Sequence, residues 1–179
     1  ALLPIYATDI LNVGSAGFGA LRATHMVGAF AGALFLTQYP IRRHAGRTLL
    51  IAVAIFGLGI IVFGISTLFW LSLGALFVLG AADSVSIFVR NNLVQIITPD
   101  EMRGRVSAVS SVFVGASNEV GEFESGVTAE WWGVVPAVVV GGIGTIFIAG
   151  LFAKIFPQLR EVDSLDPDDL VRKYQKMES

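Results

Sequence analysis

The chain has 179 residues, 54% hydrophobic and only 15% charged, with 12 basic and 14 acidic side chains and a formal net charge of −2. An ordinary soluble domain of this length lacks the interior to hide so much apolar surface, so a mean hydropathy of +0.73 points to lipid as the solvent. So small a net charge leaves no electrostatic footprint for nucleic acid, and the absence of cysteine excludes disulfide frameworks and thiolate metal sites.

His25 and His44 lie far apart with no ligand spacing around them, so neither a metal nor a cofactor is expected. No basic segment or cleavage site precedes Ala1, and the chain reads as a piece of something longer.

A membrane span needs about 20 mainly apolar helical residues. The first apolar run, about residues 1–11, is half a span or less and is expected to be a truncated helix. The second covers about 15–37 and is closed by the basic segment Arg42, Arg43, His44, Ala45, Gly46, Arg47. The third covers 48–65, Ser66-Thr67 makes a tight turn, and the fourth runs over 68–89. A polar stretch, Arg90 to Arg105, follows. Within it Thr98-Pro99-Asp100-Glu101 predicts a helix start: Thr98 caps, Pro99 suits the first turn and the acids favour the positive end. The fifth helix is therefore expected over 99–131 and the sixth, after a turn marked by Gly133 and Pro136, over 135–156. Residues 1–157 thus form a transmembrane six-helix bundle, and 158–179 form a charged cytoplasmic tail with a short amphipathic start at Asp166-Pro167-Asp168-Asp169-Leu170.

These runs are too long and too continuously apolar for barrel strands, which alternate with period 2. The fold class is all-α and membrane-integral. Glycine recurs inside the spans: Gly28 and Gly32 are four apart, as are Gly57 with Ile61 and Gly141 with Thr145. Such spacing lets helix backbones approach closely in lipid, although glycine is also simply tolerated there.

Basic residues set the orientation. The second and fourth connections and the tail hold 11 of the 12 Lys and Arg residues, and Arg22, inside the second helix, is the remaining one. The positive-inside rule puts that side in the cytoplasm, with the C-terminus inside. The Arg42, Arg43 and Arg47 cluster reads as a topology anchor on anionic lipid. Trp70, Trp131 and Trp132 fit an interfacial belt.

Ionisable residues within spans mark interiors or wet cavities. Arg22 and His25 share a face of the second helix, with snorkelling of Arg22 to the outer headgroups as the alternative. Asp83 and Arg90 on the fourth helix suggest a structural or gating ion pair. At roughly 100° per residue, Ser107, Ser111, Gly115, Asn118, Glu119, Glu122, Ser125 and Gly126 fall on one arc of about 120° of the fifth helix. Val109, Val112, Phe113, Ala116, Val120 and Phe123 fill the other side. One polar face suits a helix lining an aqueous pathway, and it also suits a buried structural network.

Six helices, an inside C-terminus and a basic loop between the second and third resemble one half of a major facilitator transporter. Gly80-Ala81-Ala82-Asp83, then Arg90, then Thr98-Pro99-Asp100-Glu101-Met102-Arg103-Gly104-Arg105-Val106-Ser107 resembles the subgroup of the enterobactin exporter and related efflux proteins. Gly121-Glu122-Phe123-Glu124-Ser125-Gly126 is similar to it as well. The resemblance implies helices equivalent to the end of the seventh through the twelfth, paired with a missing N-terminal six-helix half. The general facilitator loop pattern is degenerate here: Gly46-Arg47 match its end, but Arg43-His44 stand in place of Asp-Arg.

The resemblance implies a secondary active transporter in the bacterial inner membrane. It would export a small molecule, siderophore or drug-like, in exchange for protons by alternating access. Glu119 and Glu122 are the candidate proton carriers, since a buried carboxylate exchanges protons near neutral pH. Asn118, Ser111, Arg22 and His25 are candidate pathway residues, and Arg103 and Arg105 belong to the cytoplasmic loops. No phosphate loop for ATP hydrolysis is present, and no paired nucleophile and base suggests an enzyme. The alternative is a non-transporting membrane scaffold or secretion accessory, whose polar helix would hold a partner.

Overall fold

The computed structural model describes residues 2–39, 41 and 44–155. The tail expected over 158–179, its amphipathic start, and the loop residues Arg42 and Arg43 lie outside the described residues.

A short first helix, α1 (Leu3–Ile5), passes into a π turn, Tyr6–Ile10. Five long helices follow: α2 (Gly14–Gln38), α3 (Ala45–Ile65), α4 (Phe69–Ile97), α5 (Arg103–Trp132) and α6 (Val134–Ile155). Among the described residues no strand occurs, in keeping with the all-α class. Of the five, α2, α3, α4 and α6 are long and apolar enough to cross a membrane. The α5 helix has 30 residues, about 45 Å at 1.5 Å per residue, which exceeds the hydrocarbon thickness of about 30 Å. Its polar face is what lowers its hydropathy.

Two boundaries differ from expectation. The fourth helix does not stop at Val89 but continues through Arg90, Asn91, Asn92 and Gln95 to Ile97. Loss of hydropathy marks where a helix leaves lipid, not where its backbone hydrogen bonds end. Asn92 even reinforces the helix, its Nδ2 donating to the Phe88 carbonyl at 2.8 Å. The second difference follows from the first. Thr98 does not cap the fifth helix; its Oγ1 donates back to the Val94 carbonyl at 2.6 Å and so closes α4. A 3-10 turn, Asp100–Met102, intervenes, and α5 begins at Arg103.

The helices pack in the order α2, α4, α3, α6, α5. The α2–α4 contact is a glycine approach. A Cβ on Gly80 would land on the His25 carbonyl, one on Gly28 on the Phe77 carbonyl, and one on Gly32 would lie 2.8 Å from the Ala81 oxygen. Ser84 adds a hydrogen bond across the same contact, to the Ala29 carbonyl at 2.7 Å. Without a hydrophobic driving force between helices in lipid, such close backbone packing is what holds them. The α3–α6 contact repeats the device with Gly57 and Gly142, each lying over the other's carbonyl. Gly141, which the spacing had singled out, faces open space instead and accepts a hydrogen bond from Thr145 at 2.9 Å.

One core cluster sits at the end of the bundle where α3 meets α4. It gathers Tyr6, Ala7, Leu11, Leu21, Phe63, Ala75, Leu76 and Leu79. Tyr6 anchors the first segment by donating to the Gly64 carbonyl and packing its ring on Phe63. Residues 66–68 link α3 to α4 in extended backbone where a tight turn was expected, and Ser72 donates to Ser66 at 3.0 Å. At the other end Ala45, Val89 and Leu93 form a smaller cluster.

The α5 helix is set apart. It has no buried residue, and its packing is against α6. The two are joined by Gly133 alone, at φ 88° and ψ 161°, a conformation open essentially to glycine.

Candidate functional site

The polar arc of α5 follows from its sequence, because serines, glycine and asparagine recur at three- and four-residue steps from Ser107 to Asn118. The structure sets this arc opposite the end of α4 that hydropathy had assigned to a loop. There Ile87, Asn91, Val94, Gln95 and Thr98 recur at helical spacing and present one face. Between the two helices lies a cavity of about 520 Å³, within the range of small-molecule sites. From α4 it is lined by Ile87, Arg90, Asn91, Val94, Gln95 and Thr98, and from α5 by Arg103, Ser107, Ser110, Ser111, Val114, Gly115 and Asn118.

The floor of the groove is held by Arg103. Its Nε donates to the Gln95 carbonyl at 3.1 Å and the Thr98 carbonyl at 3.3 Å, while its Nη1 pairs with Asp100 at 2.6 Å. A cation is favourable against the last carbonyls of a helix. This clamp ties the start of α5 to the end of α4.

Four of the expected site residues, Ser111, Asn118, Arg90 and Arg103, are brought together on this groove. Glu122 lies beyond the groove, one turn past Asn118 on the same stripe of α5, and is exposed. Glu119 is exposed too, further round the helix. Asp83 stands about two turns above Arg90 on the same side of α4 and is half-buried. The ion pair expected between them is not formed here; among the described residues the ion pair present is Arg103 with Asp100. Arg22 is exposed and His25 half-buried on α2, and neither lines the groove. Arg47 lies exposed in the first turn of α3, and Arg105 lies exposed at the start of α5. Among the described residues, no three acidic or histidine side chains gather closely enough to hold a metal.

Asn91, Gln95 and Ser110 were missed from the sequence. The signal was present: continuing the periodicity of the fourth helix past Val89 aligns Ile87, Asn91, Val94, Gln95 and Thr98.

The family described as transmembrane secretion effector matches the chain over residues 1–177. The chain belongs to that family, which is of major-facilitator type. Searches of curated proteins and of solved structures find no match. Membership makes this a multi-pass membrane protein with a transport role.

Proposed function

We propose that this transmembrane secretion effector chain is the C-terminal six-helix half of a bacterial inner-membrane exporter. It works with an N-terminal half of similar size to move a small organic molecule outward in exchange for protons. The observation that carries the reading is the continuity of the α5 polar stripe. Ser107, Ser111 and Asn118 line the groove with α4, and Glu122 extends the stripe beyond it by one turn. A stripe that runs from the helix start past its middle has the extent of a pathway, and carboxylates along it supply a proton carrier.

In this mechanism the halves rock about a central site. Glu122, with Glu119 one turn earlier, takes up a proton when the site faces out and releases it inside. Asp83 and Arg90 form a pair in the state in which the groove is closed. The basic loops, the inside tail and the Arg42–Arg47 cluster keep this orientation against anionic lipid.

The test is efflux from vesicles reconstituted with the intact protein, normalised to folded protein, with and without an imposed pH gradient. Gradient-dependent uphill efflux supports exchange with protons. A membrane scaffold gives no efflux under either condition.

A further inference from the structure

We propose that the α4–α5 groove binds the anionic group of an amphipathic organic acid at Arg90; this rests on reading the groove as part of the cargo path. The lining contains two guanidinium groups and no carboxylate. The two are not equivalent. Arg103 is committed to the Gln95 and Thr98 carbonyls and to Asp100. Arg90 has neither an ion-pair nor a hydrogen-bond partner among the described residues.

An arginine always carries its charge and offers five N–H donors in a planar fork that fits a carboxylate or phosphate with two parallel bonds. Arg90 is exposed, so its fork is open to a ligand in the groove, whose lining also holds Ile87, Val94 and Val114. A neutral ligand leaves the Arg90 guanidinium without a counter-charge, and a cationic one meets that charge with no carboxylate in the lining to offset it. Ile87, Val94 and Val114 give an apolar body something to lie against, and the groove amides and hydroxyls orient it without adding charge. The ligand class is therefore an acid head on an apolar body. The same chemistry reaches Arg90 from two sources, a soluble organic acid or the phosphate of an anionic lipid at the predicted cytoplasmic headgroup level.

The experiment uses the intact protein in phosphatidylcholine nanodiscs and two probes of one shape, 2-naphthoate and 2-naphthamide. The expected result is naphthoate binding at least about tenfold tighter than the amide, a difference of about 1.4 kcal/mol. Arg90→Gln reduces the preference to less than about twofold, because the charged fork is lost. Arg90→Lys retains part of it, which separates charge from folding. Arg105→Gln leaves it intact, since Arg105 lies off the groove. Adding phosphatidylglycerol to the nanodiscs identifies the source: competition with naphthoate assigns the anion to lipid phosphate, and unchanged binding assigns it to a soluble acid. Both results require an anion at Arg90. Equal binding of acid and amide, or a preference that survives Arg90→Gln, overturns the proposal. An Arg90-dependent preference in a protein that moves no cargo keeps the anion site and removes the export reading. Gradient-driven efflux with no preference for the acid does the reverse.

Discussion

Arg103 donates from Nε to the main-chain oxygen of Gln95 at 3.1 Å. A side chain at the first position of α5 thereby caps the last turn of α4, and both helices line one groove. The Arg103 side chain is 53% exposed and its partner Asp100 83% exposed, so solvent screens much of the charge. Arg103→Gln in the intact protein is expected to cost about 1 kcal/mol. That corresponds to a fall in Tm of about 2–4 °C for a domain of this size. Asp100→Asn is expected to stay within about 0.5 kcal/mol. Thermal unfolding of both variants in detergent checks this; an equal loss from the two would place the energy in the ion pair and not in the carbonyl cap.

Within α4, two glycines make opposite predictions. A Cβ at Gly80 meets the His25 carbonyl, whereas one at Gly74 meets nothing within 4 Å. Gly80→Ala should therefore destabilise by about 1–3 kcal/mol, since backbone has to move. Gly74→Ala should stabilise by up to about 1 kcal/mol, through helix preference alone. Similar Tm changes of one sign in both variants would contradict the close α2–α4 approach.

Glu122→Gln keeps the size and hydrogen bonding of the side chain and fixes its neutral form. The intact variant is expected to bind cargo like the wild type and to lose uphill efflux driven by a pH gradient, by about tenfold or more. Glu119→Gln should have the same effect or a smaller one, because Glu119 lies further round α5. A purely structural role for these acids would instead lower Tm and leave efflux per folded molecule unchanged. Full gradient-driven efflux in the double variant would move the search for the coupling group to Asp83.

Topology is testable with cysteines in a chain that has none of its own. Ser66 is buried and would label poorly, but Thr67 beside it is exposed, as is Arg105 at the start of α5. Single cysteines at these positions in the intact protein should react with an impermeant reagent from opposite sides, Thr67 from outside. Labelling of both from outside would overturn the orientation.

Composition and periodicity within single helices determined much of this protein. The long apolar runs made it membrane-integral and all-α, because only a helix satisfies its backbone in lipid without neighbours. The steps of three and four residues on the fifth helix defined a polar arc before any partner for it was known. Gly28 and Gly32 were legible as contact positions for the same reason, since they lie on one face of one helix. Tertiary structure alone decided the rest. It chose Gly142 over Gly141 for the contact with Gly57, because two adjacent glycines on α6 face directions about 100° apart and only packing selects one. It turned Asn91 and Gln95 from loop residues into groove lining. Hydropathy falls where the chain meets polar surroundings, whereas a helix ends where its hydrogen bonds do, here at Thr98. And it brought Arg90 of α4 and Ser107 of α5 to the lining of one groove. A periodicity describes one helix, but a site between two helices depends on which stripes face each other, and that is decided by packing across the whole bundle.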